Sequence, residues 1–279
     1  MGPARSVLFL PASNPRAVEK ARTLPCDVAV LDLEDAVAAD AKDEARLAAV
    51  EAIRAGGFGP RLGVRVNGLD TPWGEADLAA LADAGASLVV ASKVETAEAV
   101  RILDGLIPAR AALWAMIETP AALLDLPAIA RTSGTTRLEA LMLGVNDLAV
   151  GLGTGSSPDR EPLKPWLAAV VTAARARGLL AIDGVFNAFA DAEGFAAECA
   201  QGRLYGFDGK SLIHPSQIAP ANAAFSRTEA EAAPARAVVA AFAAPEAAGK
   251  GAIRIGGRMI ERLHLAAAQR LLARLDPRA

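Results

Sequence analysis

Cysteine, histidine and aromatic residues are all scarce in this chain. It has two cysteines and two histidines, and aromatics make up 4% of its 279 residues. Cys26 and Cys199 form no CxxC pair and give no disulfide framework, so a reducing cytoplasm is the expected compartment. His214 and His264 are too few for a histidine-rich zinc site. Long apolar runs are missing as well. Mean hydropathy is +0.28, yet Gly, Pro or a charge interrupts every run well short of the ~18 residues that a membrane-spanning helix needs. The segment Arg5-Ser-Val-Leu-Phe-Leu10 is too short for a secretory leader. Nor does one sign of charge dominate. The net charge is −3 with both signs interspersed, which argues against nucleic-acid binding and against a basic membrane-docking surface.

What is abundant is Ala, Leu and Val, in short runs separated by helical stretches. Strands are expected near Val7–Leu10, Val28–Leu31, Gly63–Val66, Ser87–Ala91, Ala112–Ile117, Ala140–Leu143, Leu179–Ile182 and Gly206–Phe207. Successive strands start about 28 residues apart, the size of one βα unit, and eight in a row predict an α/β protein of the TIM (β/α)8 barrel type. Helix-start signals agree. Asn14-Pro15 places a capping side chain before a proline at the first helical position. Asp70-Thr71-Pro72 repeats the device before a helix at Glu75–Ala84, which Gly85 ends. The barrel domain is expected to occupy residues 1–225. Residues 226–279 form a C-terminal helical extension: a helix over Thr228–Ala243, a flexible break at Gly249-Lys-Gly251, a short strand at Ile253–Ile255, and an amphipathic helix over Met259–Leu275. This tail is too small to bury a core alone, so it is expected to pack on the barrel or on a neighbouring subunit.

Chemistry is concentrated where the oily runs stop. The second strand ends in Asp32-Leu-Glu34-Asp35, the third in Arg65-Val-Asn67, the fourth in Lys93, the fifth in Glu118, the sixth in Asp147 and the seventh in Asp183; the eighth is followed by Asp208-Gly-Lys210. The C-terminal ends of barrel strands share one face, so these groups are expected to assemble into a polar site. Glu118 and Asp147, each a lone acid after an apolar run, suit a hard cation such as Mg2+, which takes few carboxylates and several waters or substrate oxygens. Lys42 and Arg46 read as a surface or salt-bridged face, His214 as structural, and Trp73, Trp114 and Trp166 as packing residues.

The segments Arg5-Ser-Val-Leu-Phe-Leu-Pro11, Leu31-Asp-Leu-Glu-Asp-Ala-Val37, Val64-Arg-Val-Asn-Gly68, Ile117-Glu-Thr119, Gly144-Val-Asn-Asp-Leu148 and Gly209-Lys-Ser-Leu-Ile-His-Pro215 resemble the citrate lyase beta-subunit and malyl-CoA lyase family, the CoA-ester lyases of the HpcH/HpaI aldolase superfamily. They run in the family's order across nearly the whole chain. The resemblance implies a phosphoenolpyruvate-binding-type barrel, assembled as a homotrimer or a dimer of trimers. It also implies Mg2+, with Mn2+ as an alternative, and cleavage or formation of a C–C bond between an acyl-CoA and a 2-oxo acid. The expected substrate is a 3-hydroxyacyl-CoA such as malyl-, citramalyl- or citryl-CoA. By the same resemblance Glu118 and Asp147 are the metal ligands, and Glu118 also meets substrate. Arg65 binds a substrate oxygen, with an ion pair to Glu34 or Asp35 as the alternative. Asp32, Glu34 and Asp35 orient Arg65 and metal-bound water. Arg16 and Lys20 contact the CoA phosphates, unless they are only exposed helix charges. Glu261 stands where the family usually has an Asp that reaches a neighbouring subunit's site. Ser92-Lys93 replaces the usual Pro-Lys, and Pro11-Ala12 the usual Pro-Gly. Two other functions fit the same motifs: a citrate lyase beta subunit working with an acyl-carrier protein, and a CoA-free aldolase for hydroxy-oxo acids.

Overall fold

The computed structural model describes residues 2–226 and 228–273. Its contacts divide the chain into two compact units, Pro3–Phe225 and the segment from Ser226 onward together with the N-terminal residues.

The larger unit is a closed barrel of eight parallel strands in sequential order. The strands are β1 (Ser6–Pro11), β2 (Val28–Asp32), β3 (Arg61–Val66), β4 (Leu88–Ala91), β5 (Ala112–Ile117), β6 (Leu138–Leu143), β7 (Leu180–Asp183) and β8 (Gly209–Leu212). Nine helices of this unit bear on the argument: α1 (Pro15–Ala21), α2 (Lys42–Ala55), α3 (Gly74–Ala84), α4 (Ala97–Leu106), α5 (Pro120–Arg131), α6 (Val145–Leu152), α7 (Lys164–Arg177), α8 (Ala192–Tyr205) and α9 (Ile218–Phe225). Alternation along the strands makes two apolar layers. Outward residues such as Leu8, Leu31, Val89 and Leu141 pack under the helices. Inward residues such as Val7, Val30, Val90, Trp114 and Met142 fill the barrel. Trp114 is fully buried there, and its indole N–H is satisfied by Glu139 at 2.8 Å, so it is a packing residue with a polar anchor.

Local signals explain several boundaries. Asn14 caps α1 through its side chain, with Pro15 following, and Gly85 ends α3 in the left-handed region at φ 74°. The Asp70-Thr71-Pro72 expectation is corrected. Helix α3 starts at Gly74 behind Trp73, without a side-chain cap, while the Thr71 hydroxyl closes a turn on the Gly68 carbonyl. The eighth strand is also corrected, from Gly206–Phe207 to Gly209–Leu212. Gly206, at φ 101°, is the left-handed stop of α8. At Gly209, the first residue of the strand, a Cβ would lie 1.8 Å from the Ala4 carbonyl oxygen, so the position requires glycine.

The smaller unit holds α10 (Glu229–Ala243), capped by a Thr228–Glu231 capping box, then β9 (Ala252–Ile255), β10 (Arg258–Glu261) and α11 (Arg262–Ala273). The expected helix over Met259–Leu275 is therefore half right. Gly256 and Gly257 both have positive φ, 54° and 81°, and turn the chain into an antiparallel hairpin that takes Met259 to Glu261 as strand. Arg274 and Leu275 lie outside the described residues. Among the described residues no helix is long and apolar enough to cross a membrane.

Candidate active site

The C-terminal rim of the barrel opens into a cavity of about 420 Å3. Its walls come from seven strand ends or the loops after them, including Phe9 and Pro11, Asp32 and Asp35, Arg65, Met116 and Glu118, Gly144 to Asp147, Val185 and Asn187, and Ser211.

Arg65 is the structural centre of this rim. Its Nε and Nη2 bond both oxygens of Asp32, at 2.7 and 2.6 Å. Its Nη1 lies 2.8 Å from Glu34 Oε2 and 3.3 Å from Asp35. Asp32 is itself pinned, accepting the backbone N–H groups of Glu34 and Ala36. The ion pairs that the sequence offered as the alternative for Arg65 are present, and the residue also lines the cavity. Burial alone would pull its pKa down, but the Asp32 bond with Glu34 and Asp35 holds it above the ordinary value. Lys93 extends the network, its Nζ 2.6 Å from Glu34 Oε1. Burial pushes Glu34 up, against the pull of Arg65 and Lys93.

Glu118 follows β5 and is almost wholly buried. One oxygen accepts the Lys93 backbone N–H at 2.6 Å, a contact that Lys93 presents from a left-handed backbone at φ 51°. The other oxygen is buried without a hydrogen-bond partner among the described residues. A Cβ at Gly144 would lie 2.4 Å from that oxygen, so glycine is what leaves room for the carboxylate. Burial first, then the nearby Glu34 and Asp147 charges, push the Glu118 carboxyl up to about 7. Asp147 comes from the first turn of α6, which starts at the cavity wall with no side-chain cap. Among the described residues no group of three or more His, Cys, Asp or Glu is placed around one point. An ion here would take the two carboxylates, one of them with a free buried oxygen, and complete its shell with water and substrate oxygens. That donor set fits Mg2+.

Residues 5–215 match the HpcH/HpaI aldolase/citrate lyase family. The chain belongs to this family. It is 45% identical over 275 residues to a (3S)-malyl-CoA thioesterase from Cereibacter sphaeroides, covering 98% of this chain and 95% of that one. It is 37% identical to an L-malyl-CoA/beta-methylmalyl-CoA lyase of the same species, over 93% of this chain and 90% of the relative. Among solved structures it resembles the protein CitE from Mycobacterium tuberculosis in complex with magnesium, acetoacetate and coenzyme A, with TM-score 0.79, 31% identity and 98% of each chain covered. The family and its malyl-CoA lyase relatives are carbon–carbon lyases.

Against the family pattern, the structure gathers Asp32, Asp35, Arg65, Glu118 and Asp147 around one cavity, with Glu34 and Lys93 behind them. Arg16 and Lys20 lie exposed on α1 and do not line the cavity. Glu261 ends β10 in the smaller unit. Three expectations are corrected. Asp183 and Lys210 do not join the rim polar site; they sit on the outward faces of β7 and β8, in a buried cluster with Arg160 and Glu198. Asp208, bound to Arg175 at 2.8 Å, is likewise outside the cavity lining. Lys42 is not a surface residue: its buried Nζ bonds the Leu33 and Glu34 carbonyls and Asn67 Oδ1 at 2.7 to 2.8 Å. It braces the turn that carries Glu34 and Asp35. Arg46 does lie on a salt-bridged face, with Asp43 and Asp77. His214 is structural, its Nδ1 accepting the Ser216 N–H and its ring stacked on Phe189. The sequence reading missed the reciprocal Asn146–Asn187 pair across the cavity mouth and the hydroxyl of Ser211.

Proposed function

We propose that this protein is a Mg2+-dependent carbon–carbon lyase acting on the CoA thioester of a short 3-hydroxy acid with a second carboxylate, malyl-CoA being the simplest case. The observation that carries the reading is the buried, unpartnered Glu118 oxygen beside Asp147, in a cavity of about 420 Å3. Such a volume holds the acyl end of a thioester and leaves the nucleotide outside. In the cleavage direction the 3-hydroxyl loses its proton and its carbon becomes a carbonyl. The adjacent C–C bond breaks, and its electron pair passes to the carbon beside the thioester, which then takes up a proton. Glu118 and Asp147 would hold Mg2+, which when bound supplies Lewis-acid polarisation of the hydroxy-acid oxygens. Arg65, fixed by Asp32, Glu34 and Asp35, holds developing negative charge on oxygen without having to reorganise. The uncapped start of α6 offers backbone N–H donors to a carboxylate. Glu261 of a neighbouring subunit in a homotrimer moves the proton at the acetyl carbon, and Arg16 with Lys20 meets the CoA phosphates.

A second reading, hydrolysis of the thioester itself, is favoured by the 45% identity to a malyl-CoA thioesterase. One experiment separates the two. With malyl-CoA and Mg2+, C–C cleavage releases glyoxylate and acetyl-CoA with no free thiol, whereas hydrolysis releases malate and one free thiol per turnover. Glyoxylate without thiol is expected; thiol without glyoxylate would establish hydrolysis, and neither product would sink both readings.

Metal binding should depend on pH. Mg2+ requires the Glu118 carboxylate, and the metal-free carboxyl sits at about 7. Binding therefore releases a proton below that pH. Calorimetric Mg2+ affinity should rise about tenfold per pH unit up to roughly 7 and level off above it. An affinity flat from pH 5.5 to 7 would show that Glu118 is not a ligand.

A further inference from the structure

Ser211 sits one residue from Lys210 on β8 but faces the other way. The barrel register pairs Ser6 with Lys210, Val7 with Ser211 and Leu8 with Leu212. Lys210 points outward to Asp183 and Glu198, and Leu8 and Leu212 pack under the helices. Val7 belongs to the barrel interior. By strand alternation Ser211 points inward too, and it lines the cavity that holds Glu118, Asp147 and Arg65. It is 3% exposed, and its hydroxyl has no hydrogen-bond partner among the described residues.

Serines placed for the fold look different in the same barrel. Ser6 donates to Asn222 and accepts the Asp27 N–H; Ser92 donates to the Val66 carbonyl at 2.9 Å. A buried hydroxyl without a partner lowers stability, and the exceptions in native proteins call for an explanation. The cavity supplies one. The Nε–Nη2 edge of Arg65 is already spent on Asp32, so Arg65 cannot grip a ligand carboxylate with two parallel bonds along that edge. The neighbours of Arg65 on that wall, Phe9 and Met116, are apolar and offer no hydrogen-bond donor. A 2-oxo acid presents only acceptor oxygens, and a hydroxyl can donate to one of them.

We propose that the Ser211 hydroxyl donates a hydrogen bond to an oxygen of the bound 2-oxo acid from the floor of the cavity. The inference rests on the lyase reading, since it takes the acid product of that reaction as its ligand. The test is calorimetric titration of glyoxylate, pyruvate and oxaloacetate into the Mg2+-saturated protein, for the parent and for Ser211→Ala, with a melting curve of each protein without ligand. Ser211→Ala should bind the preferred acid about tenfold more weakly. Its Mg2+ affinity should stay within about twofold of the parent, and its ligand-free Tm should equal or exceed the parent's, because an orphan hydroxyl has been removed. Ser211→Cys, of similar size but a poorer donor, should fall between. Acid affinity within about twofold of the parent overturns the proposal, and so does a ligand-free Tm lowered by several degrees, which would assign the hydroxyl to the fold. A parent that binds none of the acids removes the lyase reading itself, and this proposal with it.

Discussion

Glu118→Gln should lower Mg2+-dependent turnover at least about a hundredfold while leaving the barrel folded. Loss of a mere outer-shell partner of a metal ligand already costs about 10–100-fold, and Glu118 is proposed as a ligand itself. Gln is the informative replacement. It keeps the length and can still accept the Lys93 N–H that Glu118 Oε1 now takes at 2.6 Å. It also fits beside Gly144, where there is no room to spare. Only the charge and the free buried oxygen change. Steady-state rates across a Mg2+ titration, with circular dichroism as the control for folding, make the comparison. Mg2+-dependent turnover within a few-fold of the parent would remove Glu118 from the metal site.

Lys210→Met should destabilise the barrel by about 3–5 kcal/mol, the usual cost of taking one partner from a buried ion pair. Lys210 is wholly buried, 3.0 Å from Asp183 and 2.7 Å from Glu198. Arg160 then remains as the cation shared by two carboxylates, 2.8 Å from Asp183 and 3.5 Å from Glu198. Burial pushes the Asp183 pKa up, but Lys210 and Arg160 overcome this and hold it below its ordinary value. A carboxylate held low contributes stability that is present above its unfolded pKa and is lost as pH falls through the folded one. Without Lys210 that contribution shrinks, so the urea midpoint at pH 7 should drop with an unchanged m-value. A midpoint shift worth less than about 1 kcal/mol would mean that the cluster is solvated or easily rearranged.

The barrel was legible because seven of its strands are short apolar runs at a regular spacing, bounded by recognisable helix signals. The eighth escaped because Gly209-Lys-Ser-Leu212 does not look like a strand. Its lysine is made tolerable by Glu198 and Asp183 on other elements, and its serine by a cavity, and neither is visible from local pattern. The same contrast runs through the site. Glu118 and Asp147 stood out as lone acids after oily runs. Lys42 did not, because its value lies in two backbone carbonyls and Asn67, 25 positions away. Lys93 was seen as a charge at a strand end, but its contact with Glu118 is made by a main-chain N–H from a positive-φ residue, information that a side-chain motif does not carry. The hairpin at Gly256-Gly257 was hidden by the helical periodicity that follows it.

Lys210 and Ser211 also bear on how the chain finds its final pairing. The β8–β1 seam closes the barrel, joining segments some 200 residues apart in sequence, and such a long-range pairing is where a strand could slide. A slip by one position would reverse the facing of every β8 side chain. The ammonium of Lys210 would enter the apolar interior among Val7 and Ile182, and Asp183 and Glu198 would be left opposite a serine. Two kinds of uncompensated buried charge would arise at once, each costing several kcal/mol. The adjacent Lys-Ser pair thus acts as a register lock, separating the correct closure from its nearest competitor by an energy gap.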